Sequence, residues 1–376
     1  MSKSPFFSIV VPAYHVADYI GECLLSVKGQ PFTDWECLVV MEEGTDGTET
    51  IARATAGDDS RFRFFTQPKS GSAAASRNTG LANARGEYVI FLDGDDSLAE
   101  GSLGRLASRM AERPGADLYA CAIHEYRDGT GEFIRIIDNY RPGDPAEFTG
   151  HDAVLHLYNH WHNPSPMVQE NIHRRAFLEK NGLVFPYGIQ HDDHDFTPRE
   201  FYLAERIVVL HEPFYLYRRQ AGSITMAAKD PGHFMPHMAR VLKTLLAFHA
   251  KVSAEPGFDP QITLCWGREW IDWILDWFDP ECIKTVSRAR RRDALDCLFQ
   301  DGFADFDRLL PAVSRFRRIS CLLVKAWVRF PLLARLIDLL FRLLPAARAT
   351  IRFFYKKPFP KRYWHGEEDE PCQQTP

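Results

Sequence analysis

Several features that would assign a chain to a specialised class of protein are missing from this sequence of 376 residues. None of its eight cysteines forms a CxxC pair, so we interpret the thiols as reduced, as in a cytosolic protein. No window of about 18 residues is free of charge, which argues against a membrane-spanning helix, and the first residues show no secretory signal. The formal net charge of −5 disfavours nucleic acid as a partner.

Short apolar segments alternate with amphipathic ones in the first 125 residues, and this alternation predicts strands and helices in turn. The predicted strands are Ser8–Val11, Cys37–Met41, Phe62–Thr66, Tyr88–Leu92 and Asp117–Ile123, and the predicted helices are Ala17–Lys28, Thr48–Ala56, Ser72–Ala84 and Leu103–Glu112. Such a pattern is typical of an α/β fold, a Rossmann-like, mostly parallel sheet flanked by helices. Ligands of these sheets bind at the carboxyl ends of the strands, where the polar clusters of this sequence fall.

The remaining sequence predicts a less regular continuation and a helical C-terminal region. We expect a hairpin or loop at 127–150, helices at 151–160, 174–181 and 196–204, and strands at 207–210 and 214–217. The predicted domains are an α/β domain at 1–225, a helical region at 226–312, basic amphipathic helices at 313–362 and a disordered tail at 363–376. The first domain divides into a regular half that ends near residue 125 and a less regular half at about 126–225.

Three carboxylates in four residues, Asp93-Gly94-Asp95-Asp96, directly follow the fourth predicted strand. Like charges this close repel each other, so we expect a compensating partner. A divalent cation such as Mg²⁺ or Mn²⁺, which prefers carboxylate and phosphate oxygens, would supply it. The alternative is an acidic turn in which Asp96 or Ser97 caps the next helix.

The order of these elements resembles the family 2 glycosyltransferases of the GT-A fold. The resemblance rests on Val10–Tyr14, the turn at 42–48, Gln67, Gly71, Arg77, Asn78, Gly80, Gly86, Tyr88 and Phe91–Asp93. It implies transfer of a sugar from a nucleotide diphosphate donor, with inversion at the anomeric carbon and with Mn²⁺ or Mg²⁺ as cofactor. It further implies that residues 1–225 are the catalytic domain, with a donor half that ends near residue 125 and an acceptor half at about 126–225, and it implies a set of donor-site roles. Pro12, Ala13 and Tyr14 would line the nucleotide pocket, and Glu42 with Glu43 would replace the usual aspartate that binds the base or ribose.

The remaining implied roles concern the diphosphate and the metal. Arg77 would face the diphosphate, and Asp93 would contact ribose or the metal. Asp95 would be the principal metal ligand, and Asp96 would support these two acids.

A second cluster, residues 191–196 (HDDHDF), is similar to the acid pair that the same family carries in its acceptor half. The resemblance implies that Asp193 is the general base, with Asp192 in place of the usual glutamate; a register shifted by two would make Asp195 the base. Positioned bases typically accelerate a reaction about 10²- to 10⁴-fold. A metal site that includes His191 is the alternative, because His and Asp at these spacings are competent ligands. Arg218 lies in a later segment that also matches the family.

The C-terminal region carries most of the positive charge: residues 315–362 contain 13 Lys or Arg and one acid, Asp338. Arg335, Asp338 and Arg342 recur at helical spacing opposite apolar residues, which predicts amphipathic helices. An anionic membrane surface is the predicted partner. The alternative is packing on the rest of the protein or an oligomer contact.

These observations together predict an inverting, metal-dependent glycosyltransferase of the hexosyltransferase type. It would be a cytoplasmic enzyme, peripheral on the inner face of a bacterial membrane, that extends a surface polysaccharide or its lipid-linked precursor. A UDP-sugar is the expected donor on family grounds, the acceptor would be a saccharide or a lipid-linked saccharide, and a homo-oligomer is compatible with the sequence. The alternatives are a nucleotidyltransferase on a similar sheet and a non-catalytic scaffold protein that binds sugars or nucleotides.

Overall fold

The computed structural model describes residues 4–160, 164–220, 231–312, 315–330, 334 and 336–338. Its contacts divide the chain into two compact units. The first comprises Met1–Gln220, Arg240–Glu269 and Asp301–Val313, and the second comprises Ala221–Ala239, Trp270–Gln300 and Ser314–Pro376. Seven cysteines lie in the described part of the chain and all are free thiols, as the sequence predicted.

One sheet forms the centre of the first unit, and the strands of the described residues that build it number ten. They are β1 Phe7–Ala13, β2 Trp35–Glu42, β3 Phe62–Gln67, β4 Tyr88–Phe91, β5 Ser97–Leu98, β6 Leu118–Arg127, β7 Phe133–Ile137, β8 Glu147–Phe148, β9 Asn171–Arg174 and β10 Ile207–Arg219. The order is β3-β2-β1-β4-β9-β6-β10-β5, with β7 beside β6 and β8 beside β10. Strands β3, β2, β1 and β4 are parallel, as are β6 and β10, whereas β9 is antiparallel to both of its neighbours.

The helices that follow these strands confirm the predicted α/β class. They are α1 Ile20–Lys28, α2 Thr48–Ala56, α3 Ala73–Asn83, α4 Ser102–Glu112, α5 Gly150–His160, α6 Arg175–Asn181, α7 Asp193–Leu203, α8 Pro231–Val252, α9 Pro260–Asp276, α10 Pro280–Thr285, α11 Arg288–Leu298, α12 Ala304–Asp307 and α13 Arg315–Arg329. Helix α3 lies so close to β1 that a Cβ at Gly80 would be 2.2 Å from Cγ1 of Val10. Only glycine fits there, which fixes the helix that carries Arg77 against the centre of the sheet.

Two boundaries differ from the predictions in ways that matter for the site. The strand pair predicted at 207–210 and 214–217 is the single strand β10, whose pairing with β6 shifts register on both sides of Pro213. Proline cannot donate a ladder hydrogen bond, so the interruption is local and the strand continues. Helix α7 begins at Asp193 instead of Phe196, which places two acidic residues in its first turn.

The second unit corrects part of the prediction for the basic segment. Asp338, expected on a polar helix face, is buried: both of its oxygens accept hydrogen bonds from Arg291, and Trp327 Nε1 donates to it at 3.0 Å. A buried carboxylate needs such partners, and they come from distant positions that periodicity does not reveal. The rest of the predicted segment, including Arg342, and the predicted disordered tail lie outside the described residues.

Helix α13 has a buried side and an exposed apolar side. Trp327 is fully buried, while Ile319 and Leu322 are 58% and 57% exposed. On the buried side, Arg317 forms a two-pronged ion pair with Asp272, with its guanidinium 2.6 and 2.8 Å from the two oxygens. In the part of the chain that is described, no helix combines the length and the apolar character needed to cross a membrane.

Candidate active site

The acidic turn Asp93–Asp96 lies at the carboxyl end of β4, where the sequence placed it. A Cβ at Gly94 would be 2.9 Å from the carbonyl oxygen of Pro12, so the glycine lets the turn approach the end of β1. Asp96 is buried and accepts hydrogen bonds from the Tyr215 hydroxyl at 2.6 Å and from the backbone N–H of Arg218 at 2.7 Å. Helix α4 begins later, at Ser102. Asp96 therefore fastens the turn to β10 and does not cap a helix.

Arg218 is the second anchor of this turn. Its Nε donates to the backbone carbonyl of Asp95 at 2.9 Å, and its two terminal nitrogens pair with Asp128 at 2.9 Å and Glu22 at 2.7 Å. The guanidinium also lies 5.1 Å from the ring centroid of Tyr19, within cation–π range. The guanidinium of Arg218 is therefore bound to other residues of the chain, and its contacts hold the acidic turn in place.

The two remaining acids of the turn differ in the hydrogen bonds that their carboxylate oxygens accept from the protein. Asp93 accepts from Arg77 at 2.8 Å on one oxygen and from Gln169 at 2.6 Å on the other. Asp95 accepts from Gln220 on Oδ2 at 2.8 Å. Burial, and next the charge of Asp93, raise the pKa of Asp95, since both disfavour its ionised form. A cation at this turn would relieve that cost.

Arg77 joins the donor-side turn to the acceptor-side cluster. Its guanidinium is buried and donates to Asp93 at 2.8 Å and to both oxygens of Asp192 at 2.9 and 3.0 Å. The residues of this ion pair are separated by up to 115 positions in the chain. The predicted contact with a diphosphate stays a prediction, and in the structure the donors that it would need are held by carboxylates.

The acceptor-side acids lie at the start of α7. Burial raises the pKa of Asp192 to about 6, although the Arg77 guanidinium opposes the shift. Burial likewise raises the pKa of Asp193, whose Oδ1 accepts from the backbone N–H of His194 at 3.0 Å. Asp195 is almost completely buried and bonded to Arg199 and Thr244. Because Asp195 is committed to these partners, the geometry favours Asp193 over the shifted register.

Histidines flank the candidate base. His191, Asp193 and His194 each offer one ligand atom, and these atoms all lie within 4.8 Å of one another. His191 has a positive φ of 59°, a conformation that non-glycine residues adopt rarely, and it precedes the helix directly. Burial lowers the pKa of His194 to about 3, so this imidazole is neutral near pH 7. The group therefore presents nitrogen and oxygen donors together, unlike the all-oxygen turn at 93–96.

The predicted nucleotide pocket is assembled at the ends of β1 and β2, which lie side by side in parallel. Ala13 and Glu42 are buried, Pro12 and Tyr14 are half-buried, and Glu43 is exposed. Glu42 accepts from the backbone N–H of Ser70 at 3.0 Å and from its hydroxyl. The Lys69 ammonium lies 4.7 Å from the ring centroid of Tyr14, above its face. The structure thus brings the predicted pocket residues together around the loop after β3.

Sequence reasoning missed the glutamines that hold the two site acids. Gln169 precedes β9 and Gln220 follows β10, so both lie at strand ends, and that position was the available signal. It also missed the support beneath α7, where His173 and Glu200 are both fully buried with Nδ1 and an oxygen 2.9 Å apart. Asn171 donates to the other oxygen of Glu200 at 2.8 Å. These contacts tie α7, and with it Asp193, to β9.

Comparisons with known proteins find similarity to glycosyltransferases. Residues 8–164 match the family model described as Glycosyl transferase family 2. The uncharacterized glycosyltransferase EpsJ of Bacillus subtilis is 29% identical over 250 residues, which is 65% of this chain and 70% of EpsJ. The glycosyltransferase GlyG of Streptococcus pneumoniae is 29% identical over 241 residues, 60% of this chain and 75% of GlyG.

A solved structure shows the same fold. The crystal structure of S. aureus TarS 1-349 in complex with UDP-GlcNAc matches this chain with a TM-score of 0.62 and 20% sequence identity, and the match covers 89% of each chain. At this level of identity the likeness establishes the architecture. It confirms the predicted GT-A-type sheet with flanking helices and a helical C-terminal region.

Proposed function

Residues 8–164 form a glycosyl transferase family 2 domain, and from that premise we propose that this glycosyltransferase moves a sugar from a UDP-sugar to a hydroxyl of a saccharide or lipid-linked saccharide. The transfer would proceed with inversion and would serve the synthesis of a bacterial surface polysaccharide. The UDP-sugar is supported by TarS, whose structure was solved with UDP-GlcNAc. TarS is named as a poly(ribitol-phosphate) beta-N-acetylglucosaminyltransferase, and this chain is 25% identical to it over 313 residues.

The Arg77 ion-pair network is the single observation that carries the proposal. It holds Asp93 of the donor-side turn and Asp192, the neighbour of Asp193, on one guanidinium. In a single displacement the transferred sugar lies between the leaving diphosphate and the general base. The protein groups that contact the diphosphate and the base must therefore be held in fixed geometry about one sugar ring apart. The network supplies such a frame, since Asp192 cannot move without breaking a buried charge pair and Asp93 cannot move without breaking a partly buried one.

Each acid then has a distinct part in the proposed reaction. Asp193 takes the proton of the acceptor hydroxyl as the hydroxyl attacks the anomeric carbon, which makes a weak nucleophile stronger. Asp95 and Asp93 would hold Mg²⁺ or Mn²⁺, and they fit such an ion because they are hard oxygen donors whose mutual repulsion a cation relieves. When bound, the cation would neutralise negative charge on the departing diphosphate. Tyr14, Glu42 and their neighbours would position the nucleoside.

The experiment is UDP release from a panel of UDP-sugars, with Mn²⁺ and a saccharide acceptor mixture. We expect Asp95→Asn to abolish metal-dependent turnover, because the amide oxygen carries no charge for the cation. The matched control is Asp58→Asn, which removes an exposed carboxylate of the same unit and should leave turnover unchanged. Equal turnover of the wild type and Asp95→Asn would refute the metal assignment, and the absence of release with every UDP-sugar would refute the donor class.

The family 2 match favours sugar transfer over the nucleotidyltransferase and scaffold alternatives. In a scaffold, buried acids such as Asp96, Asp192 and Asp195 would carry a desolvation cost without any gain in chemistry. Sugar transfer, in contrast, uses the site that these acids frame.

We also propose that α13 rests on an anionic membrane surface, where a lipid-linked acceptor would be found. The support is the exposed apolar pair Ile319 and Leu322, next to the exposed cations Arg318 and Arg329. Apolar side chains flanked by cations suit the interface of an anionic leaflet, and each cation near it is worth about 1 kcal/mol.

Co-sedimentation with vesicles tests this proposal. Ile319→Glu with Leu322→Glu should lower binding to vesicles that contain phosphatidylglycerol, because it puts negative charge on the contacting face. Leu25→Glu changes an equally exposed leucine of α1, at 58% exposure, and should bind as the wild type does. Equal binding by all three proteins would contradict the membrane assignment.

A further inference from the structure

Two histidines beside the candidate base have no part in the transfer described above. His191 lies directly before α7 and His194 in its first turn, and their rings have centroids 6.0 Å apart with planes inclined by 82°. Together with Asp193 they offer three ligand atoms within 4.8 Å of one another. We propose that His191, Asp193 and His194 form a zinc-class metal site, distinct from the 93–95 turn, and that metal bound there inhibits transfer.

The donor atoms distinguish this site from the turn at 93–96. Two imidazole nitrogens and one carboxylate oxygen are a ligand set typical of Zn²⁺, with a fourth position left for water. Asp93 and Asp95 offer oxygen alone, which Mg²⁺ and Mn²⁺ prefer. One protein therefore carries two neighbouring ligand sets that select different metals.

The local charge also favours a cation. Asp93, Asp192 and Asp193 are three carboxylates, and the Arg77 guanidinium pairs with Asp93 and Asp192. Asp193 has no ion pair of its own with Arg77 and lies partly buried, and burial raises its pKa although the charges of His191 and Arg77 oppose the shift. A divalent ion bound by Asp193 and the two imidazoles would stabilise its ionised form.

The geometry requires only a small adjustment. Ligands about 2.1 Å from a tetrahedral Zn²⁺ lie about 3.4 Å apart, so the present atoms need to close by about 1.4 Å at most. His191 is half-buried, and rotation of its side chain supplies movement of that size.

Inhibition follows from the shared carboxylate. In the proposed transfer, a lone pair of Asp193 takes the proton from the hydroxyl of the acceptor sugar. When a metal is bound, that lone pair is donated to the metal instead. The bound ion also blocks the approach of the hydroxyl. This half of the proposal rests on the proposed function, while the binding half does not.

Calorimetric titration of the full chain with Zn²⁺, and separately with Mn²⁺, tests the binding. His191→Ala and the double variant with His194→Ala should weaken Zn²⁺ binding about tenfold or more and leave Mn²⁺ binding unchanged. Asp95→Asn should do the reverse. The matched control is His233→Ala with His237→Ala, a pair four residues apart on α8 with ring centroids 5.5 Å apart. Because His194 is buried, thermal unfolding verifies the fold of the double variant, and the single His191 variant gives an independent result.

The outcomes separate this inference from the proposed function. Three results would overturn the site, whether or not the chain transfers sugar. They are Zn²⁺ affinity that is unchanged in both His191 variants, Zn²⁺ binding that is lost in Asp95→Asn, and Zn²⁺ binding that is lost in the His233/His237 double variant. If transfer is observed, micromolar Zn²⁺ should inhibit the wild type, and the activity that remains in His191→Ala should be less sensitive. Equal sensitivity of these two proteins would overturn the inhibitory role while the binding result stands by itself.

Discussion

The two acidic clusters of this protein, Asp93–Asp96 after β4 and Asp192–Asp195 at the start of α7, are built on the same plan. One acid of each cluster is buried and hydrogen-bonded into the framework: Asp96 by Tyr215 and Arg218, and Asp195 by Arg199 and Thr244. A second acid of each cluster, Asp93 or Asp192, shares Arg77.

The third acid of each cluster, Asp95 or Asp193, has the leading part in the proposed reaction, and Asp93 would share the metal with Asp95. Burial raises the pKa of both Asp95 and Asp193. The comparison teaches that hydrogen bonds and ion pairs of neighbouring acids can hold in place the carboxylate that we propose to react.

The two clusters differ in which parts of the chain supply the contacts that hold their acids. The donor-side turn is held by β10, more than 100 residues further along the chain. The acceptor-side cluster is held partly by its own helix, through Arg199. The turn therefore depends on the complete sheet, whereas the helix start is partly organised by itself.

The largest expected effect tests which acid of the second cluster is reactive. Asp193→Asn should lower the transfer rate about 10²- to 10⁴-fold, because the amide cannot accept the hydroxyl proton. Wild-type kcat/KM should also rise with pH through the raised pKa of Asp193, and the variant should lose that dependence.

Asp195→Asn is the matched change. It should lower the melting temperature and have a much smaller effect on the transfer rate than Asp193→Asn. A reversal of these two results would assign the base to Asp195, and a collapse of donor affinity in Asp193→Asn would move Asp193 to the donor site.

The next effect tests the link between the clusters. Arg77→Met should lower the free energy of unfolding by about 3–5 kcal/mol, because it leaves the buried Asp192 and the partly buried Asp93 without their cation. Arg53→Met breaks the pair with Glu49 on α2, whose side chains are half exposed, and should cost less than about 0.5 kcal/mol. Urea denaturation measures both. Equal losses would mean that the Arg77 network is not a structural link.

The smallest effect concerns the layer behind the donor-side cluster. Burial raises the pKa of Glu170, the neighbour of Gln169, to about 8, so the folded chain keeps a proton that the unfolded chain loses above about pH 4.5. Stability should therefore fall as the pH rises from about 4.5 to about 8. Glu170→Gln removes this loss, so its advantage in Tm over the wild type should grow across that range to a few degrees.

Glu147→Gln is the control for this measurement. Arg206 lowers the pKa of Glu147, so the contribution of this exposed pair is lost towards acid pH, with the opposite sign. An advantage of Glu170→Gln that is constant with pH would show that Glu170 is ionised in the folded protein.

The first 125 residues were predictable because their signals are local. A buried strand in a parallel sheet is a short apolar run, and helix α2 begins and ends at the predicted residues, Thr48 and Ala56. The acidic turn after β4 followed from the same rule, since a polar cluster at a strand end lies at the edge of the sheet. The sequence by itself therefore determined the α/β class and the position of the acidic turn at 93–96.

The tertiary structure alone decided what each acid contacts. The sequence predicts that Arg77 faces a diphosphate and that Asp338 lies on a polar helix face, whereas the fold places a charge of opposite sign beside each. Gln169 and Gln220 have no pattern of their own, and they matter because strand ends that are distant in sequence meet at Asp93 and Asp95. The physical reason is that desolvation and ion pairing depend on neighbours in space, whereas periodicity and spacing report only neighbours along the chain.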